Sequence, residues 1–175
     1  MKRYLQGKNS SFLRYGENLA APRTIEIFSS SKIILREITG EHPHSLIACY
    51  SDQCVLFNMS NIAINEKKGS NIDLKYILAL INSCLMSYYF QLNTAKAVRK
   101  MFPKIILKDL RNFPIKRPST EEQKAFIKIV EKIILLKKEN SDADTTGLES
   151  EIDKLVYELY DLTEEEIAIV ESGSK

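Results

Sequence analysis

The chain has 175 residues, 44% of them apolar and 27% charged, with a formal net charge of +2. That apolar share supports one domain with its own core and argues against a disordered polymer. No apolar run approaches the ~20 residues of a membrane-spanning helix. The six glycines are isolated, so neither a GxGxxG turn nor a P-loop can be written.

Residues 1–31 read as irregular chain, with turn signals at Gly7, Asn9-Ser10-Ser11, Gly16 and Ala21-Pro22. Four short strands are then predicted: Ile33–Ile38, Leu46–Tyr50, Cys54–Met59 and Ile62–Ile64. Their length and the polar turns between them predict a small, mostly antiparallel sheet. After the polar loop Glu66–Ser70 the period becomes helical, with Asn71 or Ile72-Asp73 at the start. Leu74, Ile77, Leu78, Ile81, Leu85, Tyr88, Tyr89 and Leu92 share one broad face, which predicts one long helix to about Asn93, packed on the sheet.

Ala95–Arg117 reads as basic loop and short strand, with Ile105-Ile106-Leu107 and Phe113-Pro114-Ile115 as its buried pieces. Pro114 has no N–H for a ladder and marks an edge strand. Ser119 with Glu122, and Thr163 with Glu166, have capping-box spacing. Between them lie two helical stripes: Phe126, Ile129, Val130, Ile133 and Ile134, then Leu148, Ile152, Leu155, Val156 and Leu159. The polar residues 140–147 join them, which predicts an antiparallel helical hairpin and a short terminal helix. The fold class is therefore α+β. Residues 1–117 carry the sheet and its long helix, and residues 118–175 form a helical region.

The start of the chain has no apolar h-region, and Cys49, Cys54 and Cys84 have no framework spacing. The expectation is a cytoplasmic protein with reduced thiols.

Charge is segregated along the chain. Residues 94–118 hold Lys96, Arg99, Lys100, Lys104, Lys108, Arg111, Lys116 and Arg117 against Asp109 alone. Residues 141–175 hold eleven Asp and Glu against Lys154 and Lys175. A basic block attracts polyanions, because each neutralised phosphate releases a condensed counterion. The same block fits a solvated face or an intramolecular match for the acidic tail. The tail repels DNA, so it is expected to turn away from a DNA face or to meet a basic partner.

Asp52 followed by Glu66-Lys67-Lys68 satisfies a loose template for Mg²⁺-dependent phosphodiester cleavage, with two carboxylates for the ion and a lysine near the water. That triplet is common by chance, and both parts fall in turns. His42-Pro43-His44 with Cys49 or Cys54 matches no zinc spacing. The loop is either solvated or a probe of a groove, with His42, His44 or Asp52 touching a base edge. Tyr88, Tyr89 and Phe90 read as core rather than as a stacking platform.

Several segments resemble one family. Leu19-Ala20-Ala21-Pro22-Arg23, Phe28 and Lys32-Ile33-Ile34-Leu35-Arg36-Glu37-Ile38 resemble the opening of the TaqI-like C-terminal specificity domain. Leu5-Gln6-Gly7-Lys8 and Arg14-Tyr15-Gly16 resemble the stretch before it. Leu74-Lys75-Tyr76-Ile77-Leu78-Ala79-Leu80-Ile81-Asn82-Ser83 is similar to the helix of those domains. Phe102-Pro103-Lys104-Ile105 and Leu110-Arg111-Asn112-Phe113-Pro114-Ile115 are similar to the segment before their final helices.

The resemblance implies a DNA target-recognition domain, placed C-terminal to an adenine-N6 methyltransferase and often part of a type II restriction and modification enzyme. The methyltransferase's glycine motif and its Asn/Asp-Pro-Pro-Tyr motif do not occur in the chain. No catalytic residue or metal ligand is therefore assigned, and S-adenosylmethionine and Mg²⁺ are expected only in a parent enzyme. The implied partners are double-stranded DNA and a methyltransferase or endonuclease catalytic domain, in cis or in trans. The expected DNA contacts are Arg23, Lys32, Arg36, Lys96, Arg99, Lys100, Lys104, Lys108 and Arg111. Most would hold phosphates, while Arg36, Arg99 and Arg111 are candidate base readers because a guanidinium bonds guanine bidentately. The alternatives are a subunit-docking module and, third, a Mg²⁺-dependent nuclease.

Overall fold

The computed structural model describes residues 1–6, 14–19, 22–67, 69–94 and 103–173. β1 (Lys32–Arg36) is the centre of a three-stranded antiparallel sheet, between β2 (Ala48–Ser51) and β3 (Asn61–Asn65). Lys32 lies opposite Ser51 on one side and Asn65 on the other, and Leu35 opposite Ala48 and Ile62. Successive side chains of a strand point to opposite faces. Ile33 and Leu35 accordingly enter the main core, whereas Ile34 joins a smaller cluster with Cys49 and Val55, bordered by Met1 and Phe57. Phe28 of the short helix α1 (Glu26–Ser29) stacks edge-on against Phe57, with ring centroids 5.1 Å apart.

Cys54–Met59 is not a strand. The Val55 N–H bonds the Phe28 carbonyl at 3.1 Å instead of a ladder partner. Its apolar residues, Val55 and Phe57, serve as a lid on the outer cluster, which the alternation of a strand would also have matched.

The predicted long helix is two helices, α2 (Leu74–Asn82) and α3 (Cys84–Asn93). Ser83 between them is extended, with ψ 158°. Its hydroxyl donates to the Leu80 carbonyl at 2.7 Å and accepts from the Met86 N–H at 3.2 Å. A serine that bonds its own backbone in this way ends one helix and caps the next. Asp73 caps the start of α2, accepting from the Lys75 N–H at 2.6 Å. Asn82, 1% exposed, donates to the Ala48 carbonyl at 3.0 Å and accepts from the Ala48 N–H at 2.9 Å, tying α2 to the open edge of β2.

The expected strand at Ile105-Ile106-Leu107 reduces to a single bridge between Ile38 and Lys104. Ile105 is fully buried and its N–H bonds the Glu37 carbonyl at 2.9 Å. The chain then turns into α4 (Leu107–Arg111), where Leu107 is 53% exposed rather than buried. Asp109 explains the turn: its carboxylate accepts from the Ile106 N–H at 3.2 Å. Phe113-Pro114-Ile115 is not an edge strand either, and the Pro114 carbonyl takes the Tyr160 hydroxyl.

Both predicted capping boxes close, at the starts of α5 (Thr120–Glu139) and α7 (Glu164–Ser172). α6 (Thr146–Leu159) lies between them and packs on α5 and α3, while α7 packs on α3. Phe126, Ile129, Val130, Ile133, Ile152 and Val156 share one cluster with Ile33, Leu35 and Leu78. The main core therefore runs across the 117–118 boundary. Cys84, Tyr157 and Val170 make a further cluster that anchors α7. Burial pushes the thiols of Cys49 and Cys84 up to about 12 and about 11, so both stay protonated at neutral pH. Among the described residues no helix is long and apolar enough to cross a membrane.

Candidate nucleic-acid interface

The Ile38–Lys104 bridge carries the segment 103–111 to the end of β1 that bears Arg36. The Thr39 N–H bonds the Pro103 carbonyl at 3.1 Å on the other side of that bridge. Two distant stretches of sequence are thereby placed side by side. Lys104 is half exposed, with its ammonium 3.7 Å from the Glu37 carboxylate. At that distance and exposure the pair contributes little, so Lys104 is available to another anion. Lys108 and Arg111 stand one turn apart on α4, both exposed, while Leu110 between them packs on the core. The side chains of Arg36, Lys108 and Arg111 make no hydrogen bond or ion pair to a described residue. Arg23 is exposed, and its carbonyl accepts the Tyr15 hydroxyl. Lys96, Arg99 and Lys100 lie outside the described residues.

Lys32 is a correction. It is 0% exposed, and its ammonium donates to the carbonyls of Ser30 at 2.7 Å and Gln53 at 2.8 Å. Burial pulls its pKa below the ordinary lysine value. A phosphate outside the fold cannot reach it. The residue sits on the outward face of β1, but the 53–55 segment and the end of α1 close over that face. Sequence alternation marks the face and not its cover.

The loop with His42 and His44 also departs from the groove-probing expectation. His44 Nε2 is 2.7 Å from the Asp153 carboxylate of α6, and His42 Nε2 is 2.7 Å from the Glu171 carbonyl of α7. Asp153 simultaneously accepts from the Cys84 N–H at 2.8 Å, so one carboxylate joins the loop to the start of α3. Gly173 ends α7 with φ +66°, and a Cβ there would come within 3.1 Å of the His42 ring. The Nε2 of each imidazole is thus engaged within the fold, while His42 Nδ1 is buried without a hydrogen-bond partner. Asp52 alone of the three is exposed, in a turn at the end of β2. Gln53 stands exposed beside it; its signal in the sequence is the polar turn between two apolar runs.

The acidic helices do meet basic partners. Arg3 pairs with the buried Glu149, which Lys137 also approaches at 3.8 Å. Lys2 pairs with Asp142. Lys116 donates to Asp161 at 2.8 Å and to the Leu159 carbonyl at 2.6 Å. Of the basic block, Lys116 is therefore drawn to the tail, and Lys104, Lys108 and Arg111 are not.

The nuclease template is not assembled into a metal centre here. Asp52 follows β2 and Glu66 follows β3, on opposite sides of β1. Two interstrand spacings, about 10 Å, separate those strands. Lys68 lies outside the described residues. Among the described residues no group of three or more His, Cys, Asp or Glu is placed to hold a metal ion.

Residues 1–115 match the model of one family, the TaqI-like C-terminal specificity domain. The chain belongs to that family. A protein of Methanocaldococcus jannaschii that carries the name of a type II restriction enzyme and methyltransferase is 27% identical over 158 residues, 87% of this chain. The chain spans 13% of that protein's length. Family membership makes the chain a TaqI-like specificity domain. Helices α5 to α7 lie beyond the family match but build on the same core.

Proposed function

We propose that this specificity domain recognises double-stranded DNA for an adenine-N6 methyltransferase, and that the duplex backbone lies along Arg36, Lys104 and α4. One observation carries the surface. The Ile38–Lys104 bridge brings the stretch that carries Lys104, Lys108 and Arg111 beside the Arg36 end of β1, and these cations have no anionic partner of consequence among the described residues, while the acidic tail engages Lys2, Arg3 and Lys116 elsewhere. Phosphate contacts of this kind seat a protein on the duplex, and base contacts then specify the site. The catalytic body, with S-adenosylmethionine and any Mg²⁺, belongs to a partner domain in cis or in trans.

The test is a duplex titration with the chain at several salt concentrations. Each phosphate contact contributes about 0.9 to the slope of log affinity against log salt. Reversal of Lys108 and Arg111 to Glu is expected to lower that slope by about 2 and to weaken all sequences alike. A native chain without a salt slope or sequence preference defeats the reading. A native slope that survives the reversal moves the DNA to another surface.

A further inference from the structure

Between the buried residues Ser51 and Val55 the chain exposes three consecutive side chains, Asp52, Gln53 and Cys54. The backbone of this turn is fixed at several points. Lys32, from inside the fold, holds the Gln53 carbonyl at 2.8 Å and the Ser30 carbonyl at 2.7 Å. The Gln53 N–H donates to Ser51 Oγ at 3.3 Å, and the Val55 N–H to the Phe28 carbonyl at 3.1 Å. Lys32 makes no ion pair with a described carboxylate, and Asp52 is only an electrostatic neighbour. An ammonium withdrawn from water without a paired anion carries a desolvation penalty. The arrangement couples that penalty to one result: a rigid turn whose polar side chains remain in solvent.

A rigid mount with polar tips is what the reading of base edges needs. A glutamine amide bonds adenine bidentately through N6 and N7, and a carboxylate accepts from cytosine N4. Lys32 and Arg36 share one face of β1, four residues apart, which places the turn about 13 Å from the Arg36 end. The major groove is ~12 Å wide. One duplex can therefore rest its backbone on the cations and turn its bases to Asp52 and Gln53. We infer that Asp52 and Gln53 read base edges in the major groove and that Lys32 is the positioning residue beneath them. The inference rests on the DNA-recognition reading above.

Selection from a randomised duplex library, with the 175-residue chain, supplies the preferred sequence and the native salt slope. Gln53→Ala and Asp52→Asn are each expected to relax the preference about tenfold at one or two base pairs, with the salt slope unchanged because no phosphate contact is lost. Lys32→Met is expected to relax the same base pairs and no others, whereas a purely structural role would weaken every sequence. Cys54 is the exposed thiol, since Cys49 and Cys84 are 0% and 2% exposed. Its alkylation by a maleimide is expected to slow at least tenfold on saturation with the preferred duplex. An unchanged preference in both Gln53→Ala and Asp52→Asn overturns the inference and leaves the DNA-recognition reading standing. Absence of salt-dependent duplex binding by the native chain overturns both.

Discussion

On the side of α6 and α7, Lys2, Arg3 and Lys116 are each held by a carboxylate, whereas Arg36 at the end of β1 and Lys108 and Arg111 on α4 have no partner among the described residues. The two groups are the same chemistry in the same chain. What separates them is the reach of eleven acidic residues gathered in the last 35 positions. An acidic tail packed on the molecule does not neutralise a basic protein evenly. It removes some cations from the surface and leaves the rest more sharply localised.

The contrast can be broken most strongly through the core under α6. Ile152 is 1% exposed and joins the main cluster. Ile152→Ala is expected to cost about 3 kcal/mol, from lost apolar transfer plus the cavity left behind, read as a lower urea midpoint. Next comes Arg3→Ala. It leaves Glu149, whose side chain is 8% exposed, with Thr145 and the more distant Lys137. About 2 kcal/mol is expected in thermal denaturation, below the full cost for a buried pair because Arg3 itself is partly solvated. The salt slope of duplex binding should not move.

Reversal of Lys108 and Arg111 sharpens the contrast from the other side. Stability is expected to change by no more than about 0.5 kcal/mol, since neither side chain supports the fold, while the salt slope drops as stated above. The smallest effect is acidic. Ser119, through its side chain and then its backbone N–H, holds the Glu122 carboxyl below its ordinary 4.5, and Lys2 holds Asp142 below 3.8. Groups with depressed folded-state values stabilise above the unfolded-state value, and that contribution disappears as pH falls through the folded-state one. Helical circular dichroism should therefore be flat from neutrality to about pH 5 and decline below about 4. In Ser119→Ala part of that decline should be missing.

Much of the fold is legible in the sequence. Ser119 with Glu122 and Thr163 with Glu166 mark two helix starts, and Asp73 marks a third. The apolar runs at residues 33–35 and 62–64 lie within strands. Ser83 shows where periodicity runs out. The apolar stripe continues through it, yet one hydroxyl with two backbone partners divides the helix. At 54–59 the pattern suits a strand equally well, and only the pairing of Val55 with Phe28 shows that the segment covers a face instead of extending the sheet.

The candidate site divides in the same manner. The presence of a basic block and an acidic tail is determined by sequence alone, because charge is a property of each residue. Which cations stay available is decided by tertiary structure. Lys32 and Arg36 occupy equivalent faces of one strand, yet one is sealed beneath the 53–55 segment and the other remains at the rim. Burial and ion pairing depend on what the chain brings back from far along its length, and no local pattern carries that distance.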